Sequence, residues 1–365
     1  MARYDRVILH AGLSKTGSTT LQAVCSEMRP QLAAQGIHYP EFTFAGQPFP
    51  NHSIPMTAAL TGSATRFGLR LQERFTGQEE EVVATCRAQF RAALAEGEGN
   101  TLLLSSEIAE GYGPRVAGDL FGRLRAAADE VRVVAYVRNP VSALASLLQE
   151  RARAGSTMVP EGLVGRTREK CERLEKHFGD ALTLLNYHEA SSHRAGLVGA
   201  WFEWLGLDGA TFAASAHPPR NTRLSAEAYH LIAAINQRYP LTGATVPRRA
   251  YDLDCLQSLP GQRFEVPGFY GTHLESGCRE EAAWLEAHCG MRFPPTRSAP
   301  DTIELWGAET LAALPAVFAA VAEPALRRAL AEVLLEEAEG LRAARPDTCA
   351  ALAAIAREAA AQASA

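Results

Sequence analysis

Short apolar runs alternate with amphipathic stretches along most of this chain. Val7-Ile8-Leu9, Thr101 to Leu104, Val131 to Val137 and Ala181 to Leu185 are each compact, rich in β-branched or leucine residues, and too short for helices. They read as buried strands, with a further short strand within Gly36 to Pro40. Helical periodicity is predicted over Gly17–Met28, Glu79–Leu94, Val116–Asp129, Pro140–Arg153, Thr167–Phe178, His193–Leu205 and Ser225–Arg238. Three acids open the Glu79 segment, where a helix dipole favours them. Strands that alternate with helices predict an α/β fold, a mostly parallel sheet covered by helices on both faces.

Beyond Asp301 the pattern changes to Ala, Leu, Glu and Arg, and helices are expected over 309–321, 324–344 and 347–361. Pro324, Gly340 and Pro346 punctuate them. The chain is therefore divided into a main domain, 1–299, and a C-terminal helical extension, 300–365, packed on it. Residues 41–78 and 240–300 show no clear period and are expected to shape a substrate wall.

The 365 residues, 47% hydrophobic and 21% charged, are ordinary for a globular protein. A net charge of −5 argues against a general nucleic-acid binder. The seven cysteines are scattered without metal-ligand spacing, so reduced thiols and no metal site are expected. The first strand begins almost at the N-terminus, and no run is apolar enough to span a bilayer, so a cytoplasmic protein is expected. A homo-oligomer built through the C-terminal helices stays open.

The chemistry concentrates where the first strand ends. Gly12-Leu-Ser14-Lys15-Thr16-Gly17-Ser18-Thr19-Thr20 links that strand to a helix. Glycines let backbone N–H groups approach an anion, the helix start adds its dipole, and hydroxyls with a lysine complete a cage. A Walker A loop reads GxxxxGK[ST], with lysine after the last glycine and a hydroxyl for magnesium. Here Lys15 precedes Gly17 by two positions. That order resembles the 5′-phosphosulfate loop of sulfotransferases, which use 3′-phosphoadenosine-5′-phosphosulfate (PAPS) and need no metal for transfer. The fold expectation becomes a P-loop-type sheet. A surface turn with incidental hydroxyls is the plainer alternative.

The run Tyr136 to Glu150 extends the resemblance, which covers roughly Arg6 to Pro295. Sulfotransferases place R-[DN]-P after a strand, with a serine eight residues beyond the arginine; here these are Arg138 and Ser146. The resemblance implies that both hold the 3′-phosphate, the guanidinium by a forked contact. Pairing of Arg138 with a nearby carboxylate is the alternative. Asn186-Tyr187-His188-Glu189 looks like the family's strand-then-[YE] element. Asn221 and Arg223, before a helix carrying Asn236, are similar to a segment that approaches the nucleotide.

The activity implied is in-line transfer of a sulfuryl group from PAPS to an acceptor hydroxyl or amine, releasing 3′-phosphoadenosine-5′-phosphate (PAP). Lys15 is expected to stabilise charge. Three residues compete as general base. Glu107 follows the third strand, His52 lies in the irregular segment, and Glu41 follows the second strand. Each has an ordinary structural alternative as a helix cap, loop hydrogen-bonder or solvated turn residue. The acceptor is expected to be a small molecule or carbohydrate. Tyr39, Phe42, Phe44, Phe49 and Phe67 are candidates to stack on it, though such residues are more often core. The basic pair Arg248-Arg249 is a candidate for an anionic acceptor, or a solvated surface. A P-loop small-molecule kinase and an inactive PAP-binding protein remain the competing functions.

Overall fold

The structure, a computed structural model, describes residues 4–49, 51–63, 75–95, 99–156, 166–215, 223–241, 249, 251–266, 268–294 (backbone alone for 268–275) and 304–363. The chain opens with β1 (Tyr4–His10), α1 (Ser18–Glu27), α2 (Arg29–Ala34) and β2 (Ile37–His38). A hairpin of β3 (Thr43–Phe44) and β4 (Gln47–Pro48) follows, then α3 (Ser53–Thr61) and α4 (Glu79–Ala95). Next come β5 (Thr101–Ser105), a 3-10 turn at Glu107–Gly111, α5 (Pro114–Ala127), β6 (Ala128–Val137) and α6 (Pro140–Arg153). The series continues through α7 (Thr167–Phe178), β7 (Leu182–Asn186), α8 (Tyr187–Ser191), α9 (Gly196–Trp204) and α10 (Gly209–Ala214). It ends with α11 (Ala226–Arg238), α12 (Gly268–Cys289), α13 (Ala308–Ala319), α14 (Pro324–Leu341) and α15 (Pro346–Gln362).

The main sheet has five strands in the order β2-β5-β1-β6-β7, and every pairing in it is parallel. Alternate residues of each central strand enter opposite cores, as the strand period of two requires. Val7, Leu9, Leu102, Leu104, Val133 and Ala135 join the core covered by α4, α5 and α7. Ile8, Leu103, Val134 and Tyr136 face the other way, onto Leu21, Val24, Trp201 and Phe202 of α1 and α9. Strands buried on both faces explain the unbroken apolar runs. The expected α/β sheet with helices on both faces is what the chain forms.

Two compact units are distinguished, and each is internally packed. The first, residues 1–139, 166–219 and 281–294, contains the sheet. The second comprises 140–165, 220–280 and 295–365. In it α13, α14 and α15 share one core with Leu231, Ile232 and Ile235 of α11 and with Leu253, Leu256 and Leu259. His230 and Arg238 of α11 also pair with Glu337 and Glu336 of α14. The C-terminal helices thus bury their apolar face against the segment 224–259. The boundary expected at 299 lies outside the described residues.

Two segments expected to be irregular are partly regular. α3 is buried almost all round, from Ser53 to Ala59, so its sequence carries no amphipathic period to announce it. α12 occupies Gly268–Cys289 within 240–300. Tyr39, Phe42, Phe44 and Phe49 are buried core residues, and Phe67 lies outside the described residues. Of the basic pair, Arg248 is outside them too, while Arg249 is exposed.

Candidate functional site

The site is built on the order of the strands. β1 lies between β5 and β6, so whatever follows these three strands emerges side by side at their carboxyl ends. The loop 11–17 follows β1, Glu107 and Glu110 follow β5, and Arg138 follows β6.

The loop first stays attached to β6. Ala11 and Leu13 donate N–H bonds to Val134 O (2.8 Å) and Tyr136 O (3.1 Å), and Gly12 O accepts from Tyr136 N (2.7 Å). A Cβ on Gly12 would lie 3.3 Å from Glu107 O, so the glycine permits a close approach to the turn after β5. Thr16 Oγ1 donates to Leu13 O at 2.5 Å and closes the loop on itself. Lys15 takes a left-handed backbone, φ 67°. That conformation costs a residue with a side chain about 1 kcal/mol or more and persists where neighbours hold it.

Those neighbours are on both sides of Lys15. Arg138, 7% exposed, donates from its guanidinium to the Lys15 carbonyl at 2.9 Å. The same guanidinium lies 5.2 Å over the ring of Tyr187, which begins α8. One residue earlier, the Glu110 carboxylate accepts from Ser14 N (2.8 Å) and Ser14 Oγ (2.9 Å). Lys170 of α7 then bonds both Glu110 (2.7 Å) and Ser14 Oγ (2.9 Å).

Gly17 ends the loop in left-handed conformation, φ 82°, as the N-cap of α1. It has no side chain to cap the first-turn N–H groups of Ser18, Thr19 and Thr20. Thr19 is exposed, Thr20 half-buried and Ser18 buried. Among the expected residues, the structure therefore brings together Gly12, Ser14, Lys15, Thr16, Gly17, Ser18 and Arg138. Ser146 on α6 and the exposed Arg223 belong to the second unit, and Asn221 lies outside the described residues. Asn236, also in the second unit, is fully buried and donates to Ala152 O (2.7 Å) and Ser156 O (3.1 Å), where it finishes α6.

The base candidates separate. His52 is buried, its Nε2 lies 2.9 Å from Pro40 O, and its Nδ1 accepts from Ser105 N at 3.2 Å. Both ring nitrogens thus serve the backbone, and the ring stacks on Tyr39 at 4.3 Å. This is the loop hydrogen-bonder arrangement: no ring nitrogen is left to take an acceptor's proton. Glu41 pairs with Arg29 at 2.9 Å on the surface. Glu107 sits half-buried at the start of the 3-10 turn, its backbone against Gly12.

Burial holds two histidines beneath the site neutral. His10, with Nδ1 2.8 Å from Ser105 Oγ, is lowered to about 4, and His52 to about 3, from the usual 6.5. Desolvation of the charged ring is the main cause in both. The unfolded chain takes up these protons near pH 6.5, and the folded chain does so only at lower pH. Their contribution is therefore full above pH 7 and lost as the pH falls through 6.5, by about 1.4 kcal/mol per unit for each ring. Thermal melts should show roughly 4 kcal/mol less stability at pH 5 than at pH 7 from this pair. A melting point that stays level over that interval would contradict the two neutral rings.

Glu110 and Lys170 escape a sequence reading. Glu110 lies in the turn after β5 without a motif, and Lys170 is one charge among many on an amphipathic helix. Only the packing of α7 on that turn puts them at the loop. All seven cysteines are free thiols. Among the described residues no group of His, Cys, Asp or Glu is arranged to hold a metal ion, and no helix is long and apolar enough to cross a membrane.

No family model matches the chain, and no curated protein does so. Among solved structures it is similar to a sulfotransferase from Alicyclobacillus acidocaldarius, at 14% sequence identity and a TM-score of 0.35. The match covers 65% of this chain and 95% of that one. A likeness of that size carries no chemistry.

Proposed function

We propose that this protein is a PAPS-dependent sulfotransferase, moving a sulfuryl group to an acceptor hydroxyl or amine. The observation that supports it is the meeting of Lys15, Arg138 and the open first turn of α1 around one loop. Two cationic side chains and a helix start without a side-chain cap suit a nucleotide carrying phosphates at two positions. The N–H and hydroxyl groups of Gly17, Ser18, Thr19 and Thr20 hold the 5′-phosphate. Lys15 meets the negative charge that grows on the leaving phosphate as the sulfur–oxygen bond breaks. Arg138 supplies charge for the 3′-phosphate while it braces the Lys15 carbonyl.

Glu107 is the proposed base, as the half-buried acid that directly follows β5 and lies against Gly12 of the loop. Its carboxylate takes the acceptor's proton as the acceptor oxygen or nitrogen bonds to sulfur and PAP leaves. A kinase reading lacks support in the loop, where no lysine-hydroxyl pair follows Gly17 in Walker order.

Calorimetric titration tests the nucleotide. Wild type and Arg138→Ala are titrated with PAP, adenosine 5′-phosphate and ATP with magnesium. PAP is expected to bind without metal and to lose at least about tenfold on the substitution, as for a charged hydrogen bond. Adenosine 5′-phosphate, lacking the 3′ group, should lose less. Tighter binding of ATP with magnesium would turn the assignment to a kinase.

A further inference from the structure

The loop is clamped on both sides of Lys15. On the carbonyl side stands Arg138. On the amide side, Ser14, Glu110 and Lys170 close a ring of contacts: Ser14 Oγ to Glu110 Oε1 (2.9 Å), Glu110 Oε1 to Lys170 Nζ (2.7 Å) and Lys170 Nζ to Ser14 Oγ (2.9 Å). The other carboxylate oxygen takes the Ser14 N–H at 2.8 Å. Gly12 is part of the fit, since a Cβ there would approach Glu110 Oε2 to 3.4 Å.

The support extends outward. Arg173, one turn along α7 from Lys170, donates to Glu110 O at 3.3 Å. At the start of the same helix, the Glu281 carboxylate accepts from the backbone of Thr167 and Arg168. Glu110 is 9% exposed, so it is poorly placed to be a solvated surface acid. A part-buried carboxylate with an ammonium and two further donors is a geometrically specific unit, unlike an exposed ion pair.

We infer that Glu110 and Lys170 are positioning residues that hold Ser14, and through it aim Lys15 at the transferring group. The inference rests on the reading of this loop as the phosphosulfate site. The backbone of Lys15 is left-handed, so releasing Ser14 lets φ relax and swings the lysine away. The N–H groups at 17–20 lie beyond Lys15 and keep their own support from α1. Lys170 loss should therefore be felt at the sulfuryl end of PAPS and much less at PAP. A side chain that merely stabilised the fold would weaken both alike.

The test compares wild type, Lys170→Met, Lys170→Arg and Glu110→Gln in the full chain. Three quantities are read: affinity for PAP, affinity for PAPS, and amide exchange of a peptide spanning 11–17. Lys170→Met is expected to speed exchange at least tenfold and weaken PAPS at least fivefold, with PAP within twofold. Lys170→Arg restores both, because a cation of similar reach returns. Should Lys170→Met fail to fold, Glu110→Gln is expected to show the same pattern with smaller changes. An unchanged ratio of PAPS to PAP affinity, with wild-type exchange, overturns the inference. If wild type binds neither nucleotide, the functional reading falls; faster exchange in Lys170→Met would then uphold the clamp on Ser14 by itself.

Discussion

Lys15→Ala is expected to lower PAPS-dependent transfer by about 100-fold, roughly 3 kcal/mol of transition-state stabilisation. Charge moves onto the leaving phosphate during sulfuryl transfer, and a fixed ammonium there acts more strongly on the transition state than on bound PAPS. PAP affinity should consequently fall far less than the rate. The loop retains Arg138 on the residue-15 carbonyl and Glu110 on Ser14, so the alanine variant keeps its main-chain supports. The rate is read as PAP release with an acceptor found by screening sugars and small alcohols. Turnover within a few-fold of wild type would remove Lys15 from the mechanism. Glu107→Gln in the same assay should lose rate while PAP affinity is kept. Loss of PAP affinity instead would make Glu107 a support of Gly12 rather than a base.

Gly17→Ala should destabilise the fold by about 1.5–3.5 kcal/mol and weaken PAP at least tenfold. Two separate costs add. The left-handed backbone, φ 82°, penalises any side chain by roughly 1–2 kcal/mol. The new Cβ would also fall 2.3 Å from Leu197 Cδ2, the end of a half-buried side chain beside the core of α1 and α9, and turning that side chain aside costs roughly 0.5–1.5 kcal/mol. Shifting the start of α1 to relieve either cost turns its N–H groups away from the loop. Leu197→Ala in the Gly17→Ala background separates the terms, since it removes the collision and leaves the backbone cost. A double variant no less stable than Leu197→Ala alone would show that φ at 17 is free to change.

The sheet was legible because strands buried on both faces must be apolar without a break, and Val7 to Leu9, Leu102 to Leu104 and Val133 to Val137 are. The loop was legible for a related reason. A chain that turns sharply from strand to helix with positive φ at 12 and 17 favours glycine at both, and such residues are local in sequence. α3 escaped notice because a helix buried on every side has no polar face to reveal its period. The aromatic residues of 39–49 were open to two readings, and their burial settles them as core. His52 shows a similar limit: its neighbours in sequence suggest an accessible loop, whereas Pro40 and Ser105 take both its nitrogens.

What the chain determined by itself is therefore the strands of the main sheet with most of the helices, the strand–loop–helix unit at 7–27, and the arginine that follows β6. Periodicity and turn chemistry are local, and each needs only near neighbours along the backbone. Strand order was decided by tertiary structure, and it puts the ends of β5, β1 and β6 next to one another. So was the ring of Ser14, Glu110 and Lys170, whose members stand 96 and 156 positions from the serine along the chain. No spacing rule reaches so far. Their meeting depends on α7 packing beside the turn after β5, and that packing follows from the shape and burial of a whole core.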